Sequence, residues 1–286
     1  MDSVERQASA ARVKQVANAL EEEIALGWLQ PRERLIEEDI ASRFEVKRHV
    51  VREAIAELER MGLVERVQNK GAAVRMLSPT EVRQIYSVRE ALETLAAQQI
   101  PLPPLPETIT TLIEIQEQHA AAVERGDSRA AFRANMAFHS ALFSACGNPH
   151  LVEIIQSLAQ KVHGARSFTA ASPMHLAKAR DEHWAMIEAI KASGREKLVQ
   201  LCRDHLNPSR DTYIASLEGI VRLAKVRRLW QSLGHDHDAQ PVPRLPLPGR
   251  NHQPSRLVVS LLQPELTGGR TDPRGAGRRG QLRDHP

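Results

Sequence analysis

The stretch Arg34–Val74, RLIEEDIASRFEVKRHVVREAIAELERMGLVERVQNKGAAV, decides the reading of this chain. Its apolar residues change period along the way. Ile40, Ala41 and Phe44 share one face of a short helix over Glu37–Phe44. Val51, Ala54, Ile55, Leu58 and Met61 share one face of a longer helix over Arg48–Met61. Glu45–Lys47 between them is a turn, and Gly62 caps the second helix. Leu63–Gln68 and Ala72–Met76 are strand-like runs joined by the turn signal Asn69-Lys70-Gly71. Upstream, Val13, Val16, Ala17, Leu20 and Ile24 recur three and four apart, so Ala8–Leu26 is an amphipathic helix that Gly27 stops. Trp28–Leu35 reads as a loop. The unit over 8–76 is three helices followed by a two-stranded wing.

Such a helix pair can lay its second helix in a DNA major groove. That helix opens with Lys47, Arg48, His49 and Arg52, at the end that reaches base edges and phosphates. Arg48 can bind guanine through two hydrogen bonds, and His49 offers a ring nitrogen. Lys70 and Gly71 at the wing tip bring a cation and a tight backbone to where phosphate would lie. Spacing alone equally allows a solvated, charged helix start. Net charge does not choose between the two: residues 1–76 hold 13 Lys+Arg against 14 Asp+Glu. The argument for DNA rests on placement.

Composition bounds the remainder. Of 286 residues, 42% are apolar, yet Phe, Trp and Tyr number only 5, 3 and 2. An aliphatic core of that kind favours helices over a β-sandwich. Two cysteines, Cys146 and Cys202, exclude a disulfide scaffold and a four-cysteine zinc site, and with no signal peptide they imply a reducing cytoplasm. No apolar run approaches the roughly 18–20 residues of a membrane span, so no membrane partner is expected. From Ser78-Pro79, an N-cap and a first-turn proline, helical spacing predicts helices near 79–100, 107–125, 127–146, 148–170, 173–193 and 195–222. Pro208 falls inside the last of these and must disturb it. The fold class is therefore mostly α: an N-terminal winged helix-turn-helix over 8–76, then an antiparallel all-helical bundle of six or seven helices over 77–225. Residues 235–286 hold 8 of the 17 prolines, 6 of the 15 glycines and no helical period, which reads as a disordered tail.

One constellation in the bundle has metal-ligand chemistry. Asn135 and His139 lie four apart on one helix, so both point the same way. His183 and His205 come from two other helices. Three imidazoles and an oxygen donor suit Zn²⁺, Ni²⁺ or another divalent transition ion. From spacing alone the signal is weak, since a histidine on a helix is more often a surface or capped-core residue and the chain has 12. Arg89 is either an anion-binding arginine or the partner of Glu93 one turn on. Arg166 and His163 can line the rim of a pocket, but read more readily as helix-surface charges. His119, His150, His175 and Cys146 read as structural, and Cys202 as a buried thiol.

The quoted stretch resembles the winged-helix domain of GntR-family bacterial transcription regulators. The matching elements are Arg34-Leu35, the turn between Ala41 and Val46, Val51-Arg52-Glu53-Ala54, Leu58-Glu59, Gly62-Leu63-Val64 and Gly71. The resemblance implies operator contacts at Arg34, Lys47, Arg48, His49, Arg52, Lys70 and Gly71. The chain departs from the family at three places. Lys47-Arg48-His49-Val50 replaces the usual Ser-Arg-x-Pro, Glu38 stands where many relatives carry a DNA-contacting arginine, and Arg32 replaces a loop glycine. Residues 81–206 resemble the FCD effector-binding domain of the FadR subfamily. The matching segments are YSVREALE over Tyr86–Glu93, Asn135 with Phe138-His139, Gly147-Asn148-Pro149, Glu182-His183 with Ile187 and Ala189-Ile190, and His205-Leu206. Relatives hold a divalent ion through an Asp and three His at these positions, which implies a metal at Asn135, His139, His183 and His205 and an effector carboxylate at Arg89. The combined reading is a cytoplasmic homodimeric transcription regulator of a near-palindromic DNA operator, sensing a small organic acid. Two other classes remain open from the residues: a metal-dependent hydrolase-like enzyme, and a DNA-bound architectural protein whose helices only dimerise. No carboxylate stands beside the histidines as a general base, since Glu182 and His183 are adjacent on a helix and point about 100° apart.

Overall fold

The computed structural model describes residues 3–68, 71–170 and 172–232. The expected tail over 235–286 and the wing-tip Lys70 lie outside the described residues.

The first helix, α1 (Ser3–Ala25), buries the stripe Val13, Val16, Ala17, Leu20 and Ile24 against α3 (Arg48–Arg60). α2 (Glu37–Arg43) packs across α3, and the shared core takes in Ile40, Val51, Ala54, Ile55 and Leu58. The wing hairpin is β2 (Val64–Val67) against β3 (Gly71–Val74), antiparallel, with Val64 opposite Val74. Gly71 opens β3 with φ +79, a conformation that favours glycine. The wing differs from the sequence reading in one respect. Arg34–Leu35, expected as the end of a loop, forms β1 and pairs with β3, so the sheet is three-stranded in the order β1-β3-β2. Two residues are too few to carry a strand period. What places them is Leu35, buried in the core from the far side of β3.

Eight helical segments follow among the described residues: α4 (Pro79–Gln99), α5 (Pro106–Glu124), α6 (Ser128–Ser144), α7 (Pro149–Lys161), α8 (His163–Ala170), α9 (Pro173–Lys191), α10 (Arg195–His205) and α11 (Asn207–Ser232). Their starts follow from local chemistry. Ser78, Asp127 and Asn148 accept hydrogen bonds from the amides of Glu81, Ala130 and Leu151, and α4, α5, α7 and α9 open on proline. The count exceeds six or seven because two expected helices break, the one over 148–170 at Val162 and the one over 195–222 at Leu206. Pro208 accounts for the second break. It sits in the first turn of a new helix, where its missing N–H is not needed. No residue of that kind marks Val162. The main helical core joins Ala96, Ile100, Leu112, Phe138, Leu142, Ile187, Ile190 and Leu198.

α1 also grips the helical part. Buried Glu22 accepts from Arg133 (Nε 2.5 Å, Nη2 3.0 Å) and lies 3.3 Å from Arg129 Nε, both on α6. Glu21 Oε1 lies 3.0 Å from Nδ1 of His163, which opens α8. His163 is therefore buried and not the surface charge its sequence position suggested. Gly27, at φ +72, lies so close to α8 that an added Cβ would stand 3.2 Å from Ser167 Cβ. Among the described residues no helix is long and apolar enough to cross a membrane.

Candidate functional site

The exposed end of α3 carries Lys47, its N-cap, followed by Arg48, His49 and Arg52, all facing solvent. Their shared exposure follows from the helix: Val50, Val51, Ala54 and Ile55 turn the other face into the core. Two of the cations already have partners. Arg48 Nη2 lies 2.8 Å from Glu38, and Arg52 Nε lies 2.7 Å from Glu37, both in the first turn of α2. Arg34 is exposed on β1, beside the wing.

The second constellation lies among α5, α6, α9 and α10. His139 from α6, His183 from α9 and His205 from α10 place ligand nitrogens within 4.8 Å of one another. Their ring centroids are 4.8–5.0 Å apart. Imidazoles around one ion at a metal–nitrogen distance of about 2.1 Å have centroids about 5 Å apart, so the separations suit an ion. The outer hydrogen bonds set the tautomers. Gln116 on α5 donates from Nε2 to the Arg180 carbonyl (2.9 Å), so its Oε1 faces His183 Nδ1 (2.9 Å) and the proton of His183 must sit on Nδ1. Glu182 Oε2 accepts from His205 Nδ1 at 2.6 Å. Both rings therefore turn Nε2 lone pairs into the cluster. His183 Nε2 is buried without a partner, and His205 Nε2 lies 3.1 Å from His139 Nε2. A proton on His139 Nε2 can serve only one of these lone pairs, and it leaves the buried His139 Nδ1 bare. Burial first, then the neighbouring imidazoles and Arg166, hold His139 and His183 well below the usual histidine range. Neutral rings with converging lone pairs and carboxylate or amide partners behind them are a donor set suited to Zn²⁺ or Ni²⁺. Glu182 corrects the expectation of no carboxylate beside the histidines. Adjacent residues diverge on their own helix, but His205 arrives from another. Burial pushes the Glu182 carboxyl upward, and its bonds to His205 and Lys178 outweigh that and hold it below the carboxylate range.

His205 also lines a cleft of about 600 Å³, part of it open to solvent, with Phe132, Asn135, Arg166, Glu182 and Pro208 among its walls. Arg166 is its notable cation. Asn135, in the orientation its contacts require, turns its oxygen onto Arg166 Nη1 (3.2 Å) and Nη2 (3.1 Å). Nη1 also meets Met136 Sδ at 3.0 Å. Among the described residues no carboxylate is within ion-pair distance of this guanidinium, and burial together with the Arg89 cation lowers its pKa. Arg89 is placed differently. It is buried, its Nε and Nη2 contact Glu93 Oε1 at 2.9 and 2.8 Å, and it is absent from the cleft wall. The structure thus brings His139, His183 and His205 together, gives the oxygen of Asn135 to Arg166, and neutralises Arg89 within its own helix. From the sequence Arg166 read as a helix-surface charge in preference to a pocket-rim residue, because an arginine on a short polar helix carries no local mark of burial.

Two family models match the chain: "Bacterial regulatory proteins, gntR family" over residues 12–74, and "FCD domain" over residues 84–208. An uncharacterized HTH-type transcriptional regulator from the TAR-I ttuE-ttuC' intergenic region of Agrobacterium vitis is 33% identical over 137 residues, covering 47% of this chain and 80% of that protein. The chain belongs to the GntR family of bacterial regulators. An uncharacterized HTH-type transcriptional regulator of Bacillus subtilis, YdhC, is 28% identical across 68% of this chain and 87% of its own length. The solved structure of Escherichia coli McbR/YncC has the same fold, with a TM-score of 0.63 at 22% identity over 72% of this chain and 98% of that one. Within the GntR family an FCD domain joined to a winged helix makes a transcription regulator and not an enzyme, which removes the hydrolase alternative.

Proposed function

We propose that this GntR-family protein is a homodimeric, cytoplasmic regulator whose winged heads read a near-palindromic operator and whose FCD cleft binds a small organic acid. The single observation that carries the effector reading is Arg166, a cleft cation with no carboxylate partner among the described residues. A carboxylate would neutralise it, as Glu93 already neutralises Arg89 through Oε1. Beside it, His139, His183 and His205 would hold a divalent ion such as Zn²⁺ or Ni²⁺, which supplies a Lewis-acidic centre for a second oxygen of the effector. Phe132, Asn135 and Arg166 line the cleft from α6 and α8, the two helices that also grip Glu21 and Glu22 of α1. A ligand that favours one arrangement of these helices would bias the placement of the head.

The homodimer reading is supported by an apolar stripe on solvent. Val88, Ala91 and Leu95 recur along α4, with Ile154 exposed on neighbouring α7. Leu95→Glu should convert the dimer to monomer in sedimentation, and an unchanged mass would move the interface elsewhere.

The test of the effector reading begins with an operator selected from randomised DNA by the protein itself. Small hydroxy acids and dicarboxylic acids are then titrated into the complex. At least one should change operator affinity several-fold in the wild type and leave Arg166→Met unmoved. An unresponsive wild type, or a variant that responds equally, removes this reading.

A further inference from the structure

We propose that His119 supplies the fourth donor of the ion site, in the place the family resemblance gave to Asn135. The proposal rests on the reading of His139, His183 and His205 as an ion site.

Asn135 is committed elsewhere. Its oxygen accepts from both terminal nitrogens of Arg166, so only the amide NH₂ remains, and that group has no lone pair to offer an ion. Turning the oxygen towards an ion would leave the half-buried Arg166 guanidinium with only a thioether contact. A site of three imidazoles then lacks a fourth protein donor, and an ion that expands to five ligands still has a position for the effector oxygen.

His119 stands beside the cluster with nothing else to do. It lies on α5, three residues after Gln116, so the two share a face of the helix. Gln116 orients His183 from that face. The His119 ring centroid is 5.0 Å from that of His183, the separation His183 also keeps from His139 and from His205. The residue is fully buried, and neither Nδ1 nor Nε2 has a partner among the described residues. Buried polar groups are nearly always satisfied, and an imidazole with both nitrogens bare in an apolar core calls for an explanation. An ion supplies one. The grouping within 4.8 Å comprises the other three histidines, and no hydrogen bond restrains the His119 ring from turning towards them.

The consequence is a site of four neutral imidazoles with no anionic ligand. Such a set selects borderline ions such as Zn²⁺, Co²⁺ or Ni²⁺ over Mg²⁺ or Ca²⁺. It also leaves the full dipositive charge of the ion close to the Arg166 cation, at the cleft that would take an organic anion.

Full-length protein loaded with Zn²⁺ is the material for the test. X-ray absorption should count four imidazoles about zinc in the wild type. His119→Phe keeps a ring against His183 and deletes the nitrogens. It should lower zinc affinity in chelator competition by roughly a hundredfold or more, while Asn135→Ala stays within about threefold. Circular dichroism checks that each variant is folded, and the count in the wild type needs no variant. Three imidazoles in the wild type, or His119→Phe binding as tightly as the wild type, overturns the proposal with the three-histidine site intact. A wild type that retains no zinc overturns both together.

Discussion

The winged head and the helical domain use the same chemistry at opposite ends of exposure. In the head, Arg48 meets Glu38 and Arg52 meets Glu37 in full contact with water, their side chains 36–75% exposed. In the helical domain, Arg89 meets Glu93 with side chains 7% and 3% exposed, and half-buried Arg166 has no carboxylate within ion-pair distance among the described residues. Exposed pairs are screened and separate at little cost, so the head can exchange its carboxylates for DNA phosphates or base edges. A buried pair does not separate, because either partner left alone bears its full desolvation penalty. In the proposed function, the cations that would meet a partner from outside are therefore the weakly held ones of the head and Arg166 of the cleft, which has no ion-pair partner among the described residues. Arg89, which looked eligible in the sequence, is consumed.

The largest expected effect tests that contrast directly. Glu93→Leu strands a buried guanidinium and should cost about 3–5 kcal/mol in urea unfolding, whereas Arg89→Met/Glu93→Leu together should recover most of the loss. A double variant as unstable as the single one would show that packing, not charge, dominates there. Acid comes next. Burial lowers His119 to about 4 and also lowers His163, so both are neutral in the fold and take up protons first in the unfolded chain. Stability of metal-free protein should be greatest above about pH 6.5 and fall by a few kcal/mol as pH drops towards 4. Unfolding curves that superimpose from pH 7 to about pH 4.5 would contradict this.

On the exposed side the effects shrink. Arg48→Ala should weaken cognate-operator binding by about 1–3 kcal/mol if it reads a base edge. Equal small losses on cognate and scrambled DNA would reduce it to a phosphate contact. Smallest of all, Glu38→Gln should change folding stability by under about 0.5 kcal/mol and tighten DNA binding a few-fold by releasing Arg48. A large stability loss would mean that the head pairs resemble Arg89–Glu93 after all.

Most of the fold is legible because its signals are local. Helical spacing, Ser78, Asp127 and Asn148 as caps, and first-turn prolines each act within one turn of chain. The failures are of another kind. β1 is two residues long and exists only because β3 lies beside it. The break at Val162 has no proline to announce it, and the nearby Gly164 lies within the helix that follows. Glu182 reached a histidine on a different helix, at a distance no spacing along its own helix contains.

By itself the sequence determined the winged head and the helical character of the remainder, since periodicity and residue type are properties of short segments; His139, His183 and His205 stood out from the other histidines only through the resemblance to the FCD domain. Tertiary structure decided which arginine faces the cleft, where the oxygen of Asn135 points, and that His119 is buried bare beside His183. Those outcomes depend on which side chains from distant helices compete for the same partner. Such competition is settled by burial and distance, which exist only once the helices have packed.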